Sequence, residues 1–250
     1  MGDLTQEKRP EQKPQLPLLE LDPRAIIHVT TLVDYIQANN LNEVKSLLTS
    51  VKNQGFLKDL LSVITNHNCD TALMVALSNQ DIAKLIINEA KDAGFLKDIL
   101  MIKNEDGDHA LLLALKSLNQ DTPKLIINEA KDAGFLKELL TAENKHGYNA
   151  LMEAKSAYSG KDEEKELIKF ILKYAKDNGF LEDVLRPMLK KRFELGFKIN
   201  NHLASAVALN DLGDLFWEYA KVTEDFKSII FPLIAYPDKF HYSQYSGSEN

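Results

Sequence analysis

The sequence predicts an all-α fold, a solenoid of about five stacked helix-pair repeats with units of about 40 residues. A block of fourteen residues that begins at Leu85 recurs almost unchanged at Leu125, an offset of 40 residues. A fixed offset of this size is typical of repeat proteins. Within each copy, apolar residues recur at intervals of three and four, which is the period of a helix, and no sustained strand pattern occurs.

Each unit is predicted to begin with a helix at a shared Ala-Leu block, found at Ala72, Ala110 and Ala150. A second helix carries the recurring Leu-Ile-Ile sequence. It should end at the glycine of the Gly-Phe-Leu segment, because helices commonly end at a glycine. A short third helical segment with apolar leucines follows. A polar turn that contains a glycine then returns the chain to the next unit.

Fainter copies of the unit flank the two clear ones, so we expect the array to occupy most of the chain. The predicted organisation is a flexible N-terminal segment over residues 1–17, a single repeat domain over 18–245 and a disordered tail over 246–250. Terminal units that have drifted in sequence are typical of caps. The predicted units are approximately 24–62, 63–102, 103–142, 143–186 and 187–232.

Composition narrows the range of functions. The formal net charge is -7, so the excess of Lys and Arg expected of a nucleic-acid binder is missing, and we expect no nucleic-acid partner. The single cysteine, Cys69, fits a reducing, cytoplasmic compartment. The histidines do not have the spacing of a zinc motif, and no run of about 18 apolar residues is present. We expect no cofactor, no metal and no membrane contact.

The blocks Gly107-Asp-His-Ala-Leu-Leu-Leu-Ala and Gly147-Tyr-Asn-Ala-Leu-Met-Glu-Ala resemble the signature of ankyrin repeats, a glycine turn followed by Thr-Pro-Leu-His and an alanine-rich helix. The likeness extends over roughly residues 30 to 230. The proline of the signature is alanine here, and the units are longer than the 33 residues of an ankyrin repeat. Divergent arrays of this kind are similar to those of proteins that intracellular bacteria deliver into host cells, which would place the chain in the host cytoplasm as an effector.

The resemblance implies a scaffold or adaptor that binds another protein, and not an enzyme. In ankyrin arrays the first helices and the turns before them line the concave face that holds partners. The outward positions of the first helices are Val75 and Ser78, Leu113 and Lys116, and Glu153 and Ser156. The turn tips contribute Asn66, His67, Asp70, Asp106, Asp108, Lys145, His146 and Tyr148.

Other interpretations stay open. An additional helix could pack over Val75 and Leu113 and so explain their apolar character without a partner. The turn residues His67, Cys69 and Asp70 could form an enzyme site, because a histidine can activate a nearby thiol. A basic patch near Lys190, which begins at Arg186, could dock on an anionic membrane.

Overall fold

The structure is a computed structural model that describes residues 21–117, 120–157 and 162–188. Within these ranges every regular element is a helix, apart from one antiparallel bridge between Ile64 and Thr71. The all-α prediction is therefore confirmed for this part of the chain. The predicted terminal segments, 1–17 and 246–250, and the fifth unit beyond residue 188 lie outside the described residues.

The chain divides into two compact units, residues 1–105 and residues 106–250. The helices of the first unit are α1 (Pro23–Gln37), α2 (Leu41–Asn53), α3 (Leu57–Ser62), α4 (Ala72–Ala76), α5 (Gln80–Asp92) and α6 (Leu96–Met101). The helices of the second unit are α7 (Ala110–Lys116), α8 (Asp121–Asp132), α9 (Leu136–Thr141), α10 (Ala150–Ala157), α11 (Asp162–Asp177) and α12 (residues 181–188).

These helices form repeats of three: a first helix, a longer second helix and a short third helix. In the first unit α1 packs against α2, α3 and α4, and α2 packs against α5. In the second unit α7 packs against α8 and α10, and α9 packs against α10 and α11. Each repeat buries the apolar residues of its Leu-Ile-Ile block, such as Ile86 and Ile87 in α5 and Ile126 and Ile127 in α8. The helix pair and the short third segment are thus as the spacing predicts.

The second helix of each repeat ends at a glycine in the left-handed region of backbone conformation. At the end of α5, Gly94 has φ of +79°, and its N–H donates to the carbonyl of Lys91 at 3.0 Å. The N–H of Phe95 donates to the carbonyl of Ala90, also at 3.0 Å. This pair of bonds is the Schellman motif, which favours glycine because a Cβ is strained there. The same bonds recur at Phe135 and Phe180, so the repeated Gly-Phe pair ends a helix and directs the chain into the core.

Asparagine side chains begin the second helices of the first unit. The Oδ1 of Asn79 accepts from the backbone N–H groups of Asp81 at 3.0 Å and Ile82 at 3.1 Å. Asn40 accepts in the same way from the N–H of Glu43. Such N-caps satisfy N–H groups that have no partner within the helix.

Candidate protein-binding face

The tips are the polar turns that precede the first helices, residues 65–70, 103–108 and 143–148. In the first unit, the carboxylate of Asp70 accepts from the Nδ2 groups of Asn66 at 2.9 Å and Asn104 at 3.0 Å. The backbone N–H of Glu105 donates to the carbonyl of Asn68 at 2.7 Å. Side-chain and main-chain bonds therefore tie one tip to the next within this unit.

The second unit has the same set of hydrogen bonds between tips, which we call the tip frame. The Nδ2 of Asn144 donates to Oδ1 of Asp108 at 2.8 Å, and the backbone N–H of Lys145 donates to the carbonyl of Asp106 at 2.9 Å. The Oδ1 of Asn144 also accepts from the N–H of Tyr148 at 3.0 Å. None of these bonds uses the side chains of the other tip residues.

Those other side chains are exposed and differ in chemistry from tip to tip. One equivalent position holds an imidazole, a carboxylate and an ammonium group, and the next holds an amide, a carboxylate and an imidazole. They are His67, Glu105 and Lys145, followed by Asn68, Asp106 and His146. A constant frame with variable exposed groups is typical of recognition loops on a rigid scaffold.

Two residues predicted to face solvent are buried instead. Asp108 is 0% exposed and Glu153 is 8% exposed, so the expectation that they lie on the surface is wrong. The reason is Lys116, whose Nζ donates to Oδ2 of Asp108 and lies 3.5 Å from Oε1 of Glu153. A long cationic side chain that folds over two carboxylates allows both to leave water.

The charges of this cluster influence one another. Burial raises the pKa of Glu153 and the negative charge of Asp108 raises it further, while Lys116 and His146 act in the opposite direction. Burial alone would lower the pKa of Lys116. The hydrogen bond to Asp108 and the charges of both carboxylates outweigh burial, so the pKa of Lys116 is raised. Lys116 therefore remains a cation at neutral pH.

In the first unit, Val75 and Ser78 line an open groove of about 580 Å³ where α1 and α4 end. The lining residues of this α1–α4 groove are Ile36, Gln37, Asn39, Val75, Ser78 and Asn79. Ser78 is exposed and Val75 is half-buried. Two predicted contact positions thus lie together in a concave feature, which the spacing of the sequence alone did not reveal.

The remaining predicted positions vary in exposure. Lys116 and Ser156 are exposed, Leu113 and Tyr148 are half-buried, and at the tips Asn66 is exposed while Asp70 is half-buried. Their role in binding a partner stays a prediction.

The residues of the alternative enzyme site do not form a hydrogen-bonded set. The Asp70 carboxylate is held by two asparagines, and within the described residues His67 makes no hydrogen bond to Cys69 or Asp70. Cys69 has φ of +61°, in the left-handed region that Gly107 and Gly147 occupy at equivalent positions. The part of the chain that the structure describes contains no group of three or more potential metal-ligating side chains.

Of the basic patch near Lys190, the structure describes only Arg186, which lies 2.9 Å from a carboxylate oxygen of Glu182. Lys190 and the rest of the patch lie outside the described residues. Across the described ranges, no helix combines the length and the apolar character that a membrane span requires.

The prediction missed the structural role of Asn104 and Asn144 as members of the tip frame. A signal was present, because an asparagine recurs at residues 66, 104 and 144, at the same place before each Ala-Leu block. The contribution of Gln37, Asn39 and Asn79 to the groove was also missed. No local pattern indicates it, since the groove depends on how α1 and α4 pack.

A turn followed by two helices is the organisation of an ankyrin repeat, and the described repeats have this order with a short third helix added. The described part of the chain is thus an all-helical array of repeats whose order of elements resembles that of an ankyrin repeat. It is similar to the crystal structure of EF0377, an ankyrin repeat protein, with 18% sequence identity and a TM-score of 0.35 over 64% of this chain and 96% of that chain. No family model and no curated protein matches the sequence.

Proposed function

We propose that this chain is a scaffold that binds another protein through its tips and first helices. The observation that carries the proposal is the contrast between the tip frame and what it displays. Equivalent bonds hold the backbone of neighbouring tips, while the exposed residues His67 and Glu105 of the first unit differ in charge and shape. A preformed surface binds with little ordering cost, because its groups are already fixed before the partner arrives.

A protein is the partner class that suits this surface. The chain carries a net charge of -7, which opposes binding to the phosphates of nucleic acid. The exposed tip groups include carboxylates, amides and cations, a mixture that can match the polar rim of a protein interface.

The test keeps the net charge of the chain constant. The double variant His67→Glu with Glu105→His exchanges the two exposed tip groups without altering the backbone frame. A partner is first captured with the wild-type chain, and its Kd is then measured for each variant. We expect the tip exchange to raise the Kd about tenfold or more, in the range of interface hot spots.

The matched control exchanges two exposed charges of α5 in the same unit, Lys84→Glu with Asp92→Lys. It should bind the captured partner as the wild-type chain does. The proposal is wrong if the tip exchange, together with substitutions at Leu113 and Ser156, leaves the Kd of every captured partner unchanged.

The resemblance stated above adds a finer proposal, that the partner is a host-cell protein and the chain an adaptor-like effector acting in the host cytoplasm. A translocation reporter fused to the chain in an infecting bacterium tests this part separately. A signal confined to the bacterium would remove the effector role and leave the binding function intact.

A further inference from the structure

We infer that two copies of this chain pair through the exposed face of α5, with the two helices antiparallel and a two-fold axis beside Asn88. The face consists of Lys84, Asn88 and Asp92, which we call the α5 row. The row lies on the second helix of a repeat, whereas the proposed function assigns the partner to the tips and first helices. The inference therefore goes beyond that function, because it concerns how the chain assembles with itself.

The three residues of the α5 row stand four positions apart, so they lie on one face of the helix. All three side chains are exposed. With a rise of about 1.5 Å per residue, Lys84 and Asp92 lie about 6 Å from Asn88 along the helix axis, on opposite sides. The row thus presents a cation, a neutral amide and an anion at equal spacing.

This order of charges is complementary to itself. A two-fold axis perpendicular to the row reverses the second helix, so that Lys84 of each copy faces Asp92 of the other. The two Asn88 carboxamides meet at the axis, and because each has donors and an acceptor, they can exchange two hydrogen bonds. A crossing angle of about 50°, the commonest for packed helices, sets two rows of residues four apart parallel to each other.

The groups of the α5 row are available for this pairing. Among the described residues, Lys84 and Asp92 form no ion pair and the side chain of Asn88 forms no hydrogen bond. The negative charge of Asp92 acts on Lys52 of α2, but the ammonium group of Lys52 is bonded to Glu89 at 2.7 Å. The row therefore keeps a cation at one end and an anion at the other.

The order of charges in the row does not favour the helix itself. Asp92 is the last residue of α5, and a carboxylate there is repelled by the negative end of the helix dipole. Asp132 nevertheless ends α8 in the same way. A contact outside the helix gives this repeated carboxylate a role that helix stability does not explain.

The other second helices show what distinguishes α5. The corresponding residues are Lys124, Asn128 and Asp132 in α8, Lys45, Thr49 and Asn53 in α2, and Lys169, Lys173 and Asp177 in α11. The α2 row has no anion, and the α11 row would bring two cations together at its centre. In α8 the central Asn128 already accepts from the hydroxyl group of Tyr174 at 2.8 Å. Among the second helices that the structure describes, only α5 combines complementary charges with an unoccupied central amide.

The dimer should be weak, because the contact is small and polar. Exposed ion pairs each contribute little, and each copy carries a net charge of -7. Leu85, which is half-buried beside the row, adds some apolar surface. We expect a Kd of about 100 µM to 1 mM, in the range of transient protein association. Such a dimer presents two sets of tips, which raises the apparent affinity for a partner with two binding sites.

Sedimentation equilibrium of the full chain, at concentrations on both sides of this range and at one ionic strength, measures the Kd of the dimer. Lys84→Glu and Asp92→Lys each place like charges opposite each other at both ends of the row, because the symmetry doubles every substitution. Each should raise the Kd about tenfold or more. Asp92→Lys lowers the net negative charge, so a change in general repulsion alone would lower the Kd instead.

The matched control is Lys45→Glu, which makes the same change of charge at the corresponding exposed position of α2. It should leave the Kd of the dimer unchanged. The double variant Lys84→Glu with Asp92→Lys reverses the row but keeps it complementary to itself, so it should dimerise as the wild-type chain does.

The decisive measurement uses an equimolar mixture of the two single variants. One copy then carries anions at both ends of its row and the other carries cations at both ends, so every facing pair attracts. The mixture should dimerise at least as well as the wild-type chain, although each variant alone does not. Mixing would not rescue a variant that had lost its fold, which separates loss of pairing from loss of structure.

Three results would overturn the inference. The wild-type chain could remain monomeric up to about 1 mM, the upper end of the expected Kd. The single variants Lys84→Glu and Asp92→Lys could dimerise as the wild-type chain does. Their mixture could contain no dimer of the two variants.

Discussion

Two tips of this chain have the same kind of turn but hold its aspartate in different ways. In the first unit, Asp70 is half-buried and its carboxylate accepts from two neutral asparagine amides. In the second unit, Asp108 is fully buried and accepts from the amide of Asn144 and the ammonium group of Lys116. Both tips share the tip frame, but only the aspartate of the second unit also contacts a cation.

The difference originates where the first helix ends, at the position eight residues after the aspartate. Ser78 occupies this place in the first unit and Lys116 in the second. Where serine stands, amides alone satisfy the carboxylate and the end of the helix borders an open groove. Where lysine stands, its side chain covers Asp108 and Glu153 and allows both to be buried. The residue at this position, Ser78 or Lys116, therefore differs between a tip beside an uncharged groove and a tip with a charged cluster.

The largest effect should come from Asp108→Ala. This substitution leaves Asn144 without its acceptor and removes one of two carboxylates from Lys116. Loss of one member of a buried ion pair costs about 3 kcal/mol, near the lower end of the usual range because Lys116 retains Glu153 and access to water. Urea unfolding of the full chain measures the change.

Asp70→Ala is the matched substitution in the first unit. It removes hydrogen bonds between a partly exposed carboxylate and neutral amides, so we expect a cost of only about 1 kcal/mol. Equal losses for the two variants would contradict the view that Lys116 makes the second tip different.

Gly107→Ala should have the next largest effect. Gly107 has φ of +78°, and a Cβ there would lie 2.8 Å from the backbone nitrogen of Lys145. Left-handed strain and a clash with main chain together should cost about 2 kcal/mol or more. At Gly147 the nearest atom, 3.4 Å away, is the end of the flexible Glu143 side chain.

Gly147→Ala is accordingly the control, with an expected cost of about 1 kcal/mol from backbone strain alone. Thermal and urea unfolding of both variants separate the cost of left-handed backbone strain from the cost of the clash with the main chain. If the free energy of unfolding falls less for Gly107→Ala than for Gly147→Ala, the backbone near Lys145 can move to make room for the added Cβ.

The sequence was sufficient for features that are local or repeated. Helical spacing gave the helix pairs, and the recurring glycine of Gly-Phe-Leu gave the end of each second helix, because both depend on residues close in the chain. The burial of Asp108 and Glu153 could not be predicted in this way. It depends on a lysine of one repeat reaching a carboxylate of the next, which the outward-facing positions of an isolated helix do not encode.

The groove has a similar explanation. Val75 and Ser78 were predicted as outward positions from the helical period, whereas Gln37, Asn39 and Asn79 join them only through the packing of α1 on α4. Asn79, the N-cap of α5, thus also lines the groove because the ends of α1 and α4 meet beside it.

Cys69→Gly tests whether the first-unit tip carries strain that its counterparts avoid. Cys69 adopts φ of +61°, while glycine stands at both equivalent positions. Glycine removes the left-handed penalty but adds freedom to the unfolded chain, so the net gain in the free energy of unfolding should be about 0.5 kcal/mol. Cys69→Ala keeps a Cβ and should give no such gain, and equal stability of the two variants would refute the strain.

Glu153→Gln should give the smallest effect, and the size of this effect depends on pH. Burial raises the pKa of Glu153 in the folded state above its usual value of 4.5. At a pH between 4.5 and this raised pKa, the folded state therefore binds more protons than the unfolded state. The stability of the wild-type chain relative to Glu153→Gln should therefore fall as the pH rises from about 4.5 through the folded pKa. Urea unfolding at several pH values measures this difference, with Ser156→Ala on the same helix as the control that adds no titrating group. A difference that is constant, or that increases with pH, would mean that Lys116 fully offsets burial and that the charged cluster favours the ionised carboxylate.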